Sequence, residues 1–328
     1  MKFKVLELLK NCTSSISGEE IGERLSLTRQ AVSEYVDQLR KIGYDIQVIP
    51  HLGYKLIFCP DRLLPFEIQD KLDTKIIGKK IYYYDLVGST MDVATELALK
   101  GAFEGTIICA EGQTEGKGRL GRNWISPKYK GVYLSLILRP EILLNQAPII
   151  TLLAAVSICQ AINKIVSGSA SIKWPNDILV KNKKIGGILT ELNAEQDRIN
   201  FIIVGIGINV NTPKSLLPPN ASSLEFETKK ELSRIDLIKE VLRNIEHFYL
   251  LFKKKGAQPI IEKWRQFSFL TGERVEVISQ KKKLTGVVLD VDSDGSLLIR
   301  EDTGFIKRLT AGDVIEQSGS FYNSDCSS

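Results

Sequence analysis

Gly112-Gln113-Thr114-Glu115-Gly116-Lys117-Gly118-Arg119-Leu120-Gly121-Arg122-Asn123-Trp124 is the densest signal in this chain of 328 residues. Its glycines at 116, 118 and 121 let a backbone approach a ligand closely and offer its amides. Lys117, Arg119 and Arg122 place three cations within six residues, the chemistry needed to hold a carboxylate beside phosphates. Trp124 offers a surface for stacking on a flat ring. Two common readings of such a string fail. Gly116-x-Gly118-x-x-Gly121 spells the dinucleotide fingerprint, but no helix pattern follows and Pro127 intervenes. A Walker A loop needs four residues before its Gly-Lys and a Ser or Thr after it; here Gly112 leaves three, and Gly118 follows the lysine. A solvated basic loop is the plain alternative.

Working outward, Lys173-Trp174-Pro175-Asn176-Asp177 lies between a helix-like and a β-like run. Pro175 pins the turn, Asn176 can bond a base or ribose, and Asp177 can hold Mg²⁺ through oxygen; a purely structural turn explains the string equally well. Lys183-Lys184-Ile185-Gly186-Gly187-Ile188-Leu189 sets a lysine just before an apolar Gly-Gly strand start, and by itself it reads as a solvated turn lysine. In Val204-Gly205-Ile206-Gly207-Ile208-Asn209-Val210 the glycines alternate, which makes room on one face for a ligand or another backbone, or simply for close strand packing. Asp290-Val291-Asp292-Ser293-Asp294-Gly295 with Glu301 spells a calcium-binding EF-hand loop, but its flanks are β-like rather than helical, so an Asp-Gly hairpin is expected.

The length implies two or three domains. Residues 1–62 read as three helices and a hairpin, a winged helix-turn-helix. Ser17-Gly18-Glu19-Glu20 has the capping-box pattern, and Thr28 suits the N-cap of a helix with Val32, Val36 and Leu39 inward. Thr28, Arg29, Gln30 and Ser33 then point outward, able to bond base edges or phosphates. The charge argument is neutral, with eight Lys/Arg against seven Asp/Glu in residues 1–60, and a plain structural helix pair is the alternative. Residues 63–270 alternate β-like and helix-like runs. Residues 271–317 shift to short β-like runs separated by turns, the rhythm of a small barrel, and 318–328 form a polar tail. No apolar run approaches the ~18 residues of a membrane span, so no membrane partner is expected, and the N-terminus does not read as a signal peptide. Five scattered cysteines read as reduced thiols of a cytoplasmic protein, and two histidines, His51 and His247, argue against a His-based triad or a multi-His metal site.

Taken together and in this order, the glycine–arginine loop with Trp124, Lys173–Asp177, Lys184–Gly187 and Gly205–Asn209 resemble the biotin–protein ligase family, over nearly the whole chain from Ser17 to about Glu316. The helix-turn-helix resembles that of its bifunctional ligase-repressors. The resemblance implies a multidomain α/β (α+β) protein: a winged helix-turn-helix, a central α/β domain of the biotin/lipoate ligase type and a C-terminal SH3-like β-barrel. It implies ATP-dependent conversion of biotin to biotinyl-5′-AMP, then transfer to a lysine of the biotin carboxyl carrier protein of acetyl-CoA carboxylase or another biotin-dependent carboxylase. It also implies repression at operator DNA by an adenylate-bound homodimer. By resemblance Ser89, Thr90, Met91 and Gln113 meet biotin. Gly116, Lys117, Gly118 and Arg119 close over biotin and the adenylate, and Lys184 contacts the reacting carboxylate and α-phosphate. Lys184, Arg119 and Lys117 are then the catalytic cations. Arg122, Trp124, Asn176 and Asn209 serve the nucleotide, Lys173 a phosphate and Asp177 the Mg²⁺. Lys117 stands where the family often has arginine, and Met91 where asparagine is frequent. The rival implications are a transcription factor that only senses a metabolite, and a ligase for lipoate or another acyl group.

Overall fold

The computed structural model describes residues 1–166, 170–196, 198–279 and 282–316, and the chain divides into two compact units, Met1–Arg62 and the remainder from Leu63. The tail expected at 318–328 lies outside the described residues.

In the first unit, α1 (Lys2–Asn11), α2 (Gly18–Leu25) and α3 (Arg29–Lys41) precede a hairpin of β1 (Asp45–Ile49) and β2 (Gly53–Phe58). The apolar spacing read from the sequence becomes the core, with Val5, Leu6, Ile21, Val32, Val36 and Leu39 fully buried. Ser17 Oγ accepts from Glu20 N at 3.0 Å and Thr28 Oγ1 from Ala31 N at 3.2 Å, so both helices start where expected. The Glu20 carboxylate serves Arg24, at 2.6 Å, rather than closing a reciprocal capping box. Ile16 bonds Tyr54 in both directions, which adds a third edge to the wing. Gly53 is obligatory there: at φ +100° a Cβ would sit 2.2 Å from Ile16 O.

The second unit runs α4 (Pro65–Gln69), β3 (Ile81–Tyr84), α5 (Thr90–Leu99), β4 (Ile107–Ala110), β5 (Gly131–Leu138), α6 (Pro148–Val166), β6 (Ala170–Lys173), β7 (Asp177–Val180), β8 (Lys183–Glu195) and β9 (Arg198–Asn209). Then come α7 (Leu224–Thr228), α8 (Arg234–Lys255), α9 (Gln258–Phe267), β10 (Arg274–Ser279), β11 (Lys282–Val291), β12 (Leu297–Arg300), β13 (Ile306–Leu309) and β14 (Asp313–Glu316). Seven strands form one sheet in the order β3-β4-β5-β9-β8-β7-β6. Only its β3–β4 pair is parallel, joined by the α5 crossover; the others pair antiparallel.

The period-two alternation of β9 sorts the two faces of this sheet. Ile202, Val204, Ile206 and Ile208 join the large core with α6, α8 and α9, whereas Phe201 and Ile203 pack with Met91, Ala94 and Ala98 of α5. Gly205 and Gly207 fall on the α5 face and open it. The stretch 144–166, mean hydropathy 1.9, is long and apolar enough for a membrane span, which corrects the expectation that no run approaches that length. Its apolar surface is used otherwise: α6 is the central core helix, against α8 and α9. The last five strands form a second, antiparallel sheet, β13-β12-β11-β10-β14. The calcium-like string is the β11–β12 hairpin, as expected. Asp290 accepts from Arg265, Asp292 and Asp294 pair with Arg308, and Gly295 takes φ +88° in the turn.

One buried ion pair ties these layers together. Arg234, at the start of α8, meets Glu111 at 2.8 Å with both side chains fully buried. Glu111 also accepts from Leu63 N at 2.8 Å and Tyr83 OH at 3.2 Å, and Arg234 donates to Gly131 O at 3.2 Å. Arg234→Met leaves a buried carboxylate without its counter-ion and should cost about 3–5 kcal/mol. The double change with Glu111→Gln should recover part of that loss. Urea unfolding of the three variants measures both; equal losses in the single and double variants would refute the pairing energy.

Candidate active site

The glycine–arginine segment is a flap-like hairpin. Trp124 N donates to Gly116 O at 2.8 Å and Gly118 N to Arg122 O at 2.7 Å. The turn is closed by Arg122 N on Arg119 O, with Leu120 and Gly121 both at positive φ, 56° and 72°, as a tight two-residue hairpin turn requires. Gly116 has no room for a side chain, because a Cβ would lie 2.4 Å from Trp124 O. The alternating glycines of β9 and the Gly-Gly start of β8 receive what the flap brings. A Cβ on Gly207 would lie 2.5 Å from the Trp124 indole, one on Gly187 would lie 3.0 Å from it, and one on Gly205 would lie 2.4 Å from Met91 Sδ. Of the two sequence readings of these glycines, room for another group is therefore the one realised.

Around this contact lies a cavity of about 290 Å³. Of the residues expected from sequence, Thr90, Met91, Gln113, Lys117, Gly118, Arg119, Arg122, Trp124, Asn176, Asp177, Lys184 and Asn209 line it. Ser89, Gly116 and Lys173 lie outside the lining. Ser89 caps α5, its Oγ accepting from Met91 N at 3.3 Å. Lys173 ends β6, in register with Asp177 across the turn.

Inside the cavity, Gln113 Oε1 accepts from Thr90 N at 2.9 Å and from Thr90 Oγ1 at 3.1 Å, and its Nε2 donates to Ser126 Oγ at 3.0 Å. Ser135 Oγ donates to Thr90 Oγ1 at 2.9 Å. This chain fixes the orientation of the Thr90 and Gln113 side chains. Trp124 Nε1 and Asn209 Oδ1 are buried and have no hydrogen-bond partner among the described residues, so a donor and an acceptor remain for a bound molecule.

Four cations meet carboxylates at the cavity. Lys184 Nζ lies 2.8 Å from Asp177 Oδ1 and 5.6 Å from the Trp124 ring centroid. Lys117 pairs with Asp92, and this hydrogen bond holds its ammonium pKa above the ordinary lysine value. Arg122 pairs with Asp313, whose Oδ1 is 3.5 Å from Arg119; Arg119 also donates to Asn176 Oδ1 at 3.0 Å and to Gly312 O at 3.3 Å. No group of three or more His, Cys, Asp or Glu side chains suited to a metal occurs among the described residues. Asp177 nevertheless offers one cavity-facing carboxylate, which suits an ion that draws its remaining ligands from phosphate and water.

Sequence reading missed Asp92, Asp313 and the wall formed by Leu217, Pro218, Asn220 and Ala221. The wall lies in a stretch recognisable only as a proline-bearing loop. It is fixed by Lys184 N on Asn220 O at 3.2 Å and Ser222 N on Lys184 O at 2.8 Å. In the first unit, Thr28, Arg29 and Gln30 are exposed at the start of α3 and Ser33 is half-buried, so a row of polar groups faces outward there.

Three sequence profiles match the chain: HTH domain over residues 2–55, Biotin/lipoate A/B protein ligase family over 83–209, and Biotin protein ligase C terminal domain over 270–315. The bifunctional ligase/repressor BirA of Bacillus subtilis (strain 168) is 38% identical over 303 residues, 91% of this chain and 93% of that protein. The bifunctional ligase/repressor BirA of Escherichia coli (strain K12) is 29% identical over 322 residues, 95% of each. Among solved structures, the biotin protein ligase of Aquifex aeolicus in complex with biotin and ATP superposes with a TM-score of 0.63 at 31% identity, over 72% of this chain and 98% of that one. With likeness of this degree across almost its entire length, the chain belongs to the biotin–protein ligase family, in the branch that carries an N-terminal helix-turn-helix.

Proposed function

We propose that this protein uses ATP to convert biotin to biotinyl-5′-AMP and passes the biotin to a lysine of a biotin carboxyl carrier protein, and that it represses transcription by binding operator DNA through α3. One observation carries the ligase reading. A single cavity is lined both by a close-fitting strip of Met91, Leu189 and Gly205 and by the cations Lys117, Arg119, Arg122 and Lys184. The first suits an apolar acid and the second its carboxylate beside phosphates.

The chemistry follows from charge. A biotin carboxylate oxygen bonds to the α-phosphorus of ATP, and the bond to the β-phosphate oxygen breaks to release pyrophosphate. Negative charge gathers on the transferring phosphate, where Lys184, Arg119 and Lys117 offset it. Thr90 and Gln113, with the Met91 backbone, orient the biotin ring, while Ser89 acts one step back by capping α5. Gly116 and Gly118 bring the flap down over biotin and adenylate, because the mixed anhydride hydrolyses unless water is kept out. Arg122, Trp124, Asn176 and Asn209 hold the nucleotide. The Trp124 N–H and the Asn209 carbonyl oxygen supply the unused donor and acceptor. Lys173, outside the lining, is assigned to a phosphate that extends past the β6–β7 turn. Magnesium, when bound, supplies charge neutralisation at the phosphates, and Asp177 is the residue that would hold it. The carrier lysine amine then attacks the activated carbonyl carbon, and AMP leaves with the former anhydride oxygen.

The repressor reading rests on the exposed Thr28, Arg29 and Gln30, with Ser33, at the start of a capped second helix. One such helix makes few contacts; a homodimer formed on the adenylate places two on one operator at high effective concentration. We assign the protein to the cytoplasm, which agrees with the reduced thiols of Cys12, Cys109 and Cys159.

Mass spectrometry after incubation with biotin and ATP should detect biotinyl-AMP. Exchange of pyrophosphate into ATP that depends on lipoate instead would favour a ligase for another acid, and no exchange with any acid would favour the metabolite sensor. Lys184→Ala should lower the adenylation rate by about 10²–10³-fold and biotin affinity far less, because the cation matters most as charge develops. A near wild-type rate would remove Lys184 from the mechanism.

Gly207→Ala drives a methyl into the Trp124 indole and should slow adenylation by about tenfold or more through a displaced flap. Initial rates together with tryptophan fluorescence test this, and an unchanged rate would show that the contact is dispensable.

Arg29→Ala with Gln30→Ala should weaken operator binding by more than about tenfold and spare ligation. Sedimentation with and without biotin plus ATP, followed by DNA titration, tests the coupling. A protein that stays monomeric with adenylate bound, or binds DNA equally well without it, would break it.

A further inference from the structure

We infer that the turn Asp292-Ser293-Asp294-Gly295, between β11 and β12, is a positioning device for the Trp174–Asp177 segment of the active site, acting through a hydrogen bond from Trp174. The turn is the one sequence motif that the proposed chemistry does not use. Its two carboxylates are already held by one arginine, Arg308, so it has no vacancy for a cation. What it presents instead is a backbone carbonyl. Trp174 Nε1 donates to Gly295 O at 3.0 Å, and the indole is only 2% exposed. A buried N–H of this kind is costly to leave unmade, so the carbonyl fixes the ring.

The turn is itself fixed. Gly295 takes φ +88°, and a Cβ there would lie 3.3 Å from Leu152 Cδ1 and 3.4 Å from Pro148 C, so the turn is pressed against the start of α6. Asp294 accepts from Ser296 N at 3.0 Å and Ser296 Oγ at 2.9 Å, and it pairs with Arg308. Ser296 and Leu297 are buried. A surface loop that only ended a hairpin would need none of this.

The consequence reaches the cavity within three residues. Asn176 Nδ2 donates to Ile188 O at 2.9 Å, Ile188 N donates to Asn176 O at 3.0 Å, and Asn176 Oδ1 receives Arg119. Asp177 receives Lys184. Arg119 reaches back to Gly312 O, beside β14. The C-terminal sheet therefore grips the site at two points, the 292–295 turn through Trp174 and the 312–313 segment through Arg119. Displacing the first grip shifts Asn176 and Asp177 together and leaves the Thr90–Gln113 network, on the other side of the cavity, untouched. With the nucleotide at Asn176 and the biotin ring at Gln113, which rests on the function proposed above, the effect falls on ATP far more than on biotin.

The test uses the full-length protein with Trp174→Phe, which keeps a ring and deletes the N–H, and Asp294→Asn, which loosens the turn without touching Trp174. Arg274→Met, on an exposed pair with Asp302 in the same sheet, is the control. Each variant is measured for the ATP KM in pyrophosphate release, the biotin Kd by calorimetry, the unfolding midpoint, and hydrogen exchange at the Ile188 amide. Both test variants should raise the ATP KM by about tenfold, with Asp294→Asn the weaker, and should speed Ile188 exchange similarly. Biotin Kd should stay within about twofold, and the control should change none of these. Unchanged Ile188 exchange, or an ATP KM that rises no more than the biotin Kd, overturns the inference. So does acceleration across β10–β14 in proportion to a fall in the midpoint, because that is a merely structural role. Exchange does not depend on activity. If the wild type makes no biotinyl-AMP, the functional reading fails while Ile188 exchange still decides whether the turn positions the segment. If Trp174→Phe does not fold, Asp294→Asn carries the same comparison.

Discussion

The indole of Trp124 can rest on the central sheet only because Gly187 and Gly207 carry no side chains there. Strand periodicity makes this local. In β9 the even-numbered positions from Ile202 to Ile208 are isoleucine or valine and bury themselves under α6, so the odd-numbered positions are free to be small without weakening the main core. Gly205 takes in Met91 and Gly207 takes in Trp124, and both contacts press chain segments from elsewhere onto one strand. The flap hairpin of Gly116–Trp124 is thereby anchored at its base while its tip, Leu120–Gly121, stays in solvent, Leu120 being 75% exposed. An anchored base with a free tip is the mechanical requirement for a cover that closes over a ligand.

The strand that leads into that flap is held from behind. Glu111 immediately precedes Gly112, and its carboxylate collects Arg234, Tyr83 and the Leu63 amide. Burying an ion pair brings little net stability against a well-packed apolar alternative, because both charges lose their water. What it supplies is discrimination: Arg234 at the start of α8, Tyr83 of β3 and the first residue after the N-terminal unit satisfy one carboxylate only when all three are in place. The C-terminal sheet adds a second set of constraints at Trp174 and Arg119. A site assembled from segments so distant in sequence is rigid only if its supports come from several elements at once.

Much of this was legible in the sequence, for identifiable reasons. Glycine, proline and cation strings are local, so the 112–124, 173–177, 184–187 and 205–209 segments could each be read, and their order pointed to the family. Amphipathic spacing marked α3 and α8, and β-like flanks ruled out a calcium loop at 290–301. The misses are non-local. Nothing near Asp313 signals that it meets Arg122, 191 residues away, and Asp92 looks like any acid in the first turn of a helix. Lys173 was grouped with its motif, but strand pairing of β6 and β7 puts Asp177 and not Lys173 in the cavity lining. The 144–166 stretch has the composition of a membrane span, and only its burial under α8 and α9 identifies it as a core helix.

The electrostatics of the cavity explain how a strongly anionic substrate pair could be accepted without a strongly positive protein. Lys117, Arg119, Arg122 and Lys184 are balanced locally by Asp92, Asp313 and Asp177, so four positive charges face three negative ones. The partners are partly exposed, the Arg122 side chain by 65% and Lys117 by 41%. Ion pairs so wetted are worth only about 0–1 kcal/mol each. An entering carboxylate or phosphate therefore displaces an aspartate at small cost. With the flap closed as proposed, the same cations would act on it through a lower effective dielectric, where each contact counts for more. The aspartates also limit self-repulsion among cations that the hairpin brings together, which would otherwise oppose the folded flap. Cation spacing set by the hairpin and charge balance set by distant aspartates are thus two halves of one arrangement, of which only the first is written in contiguous sequence.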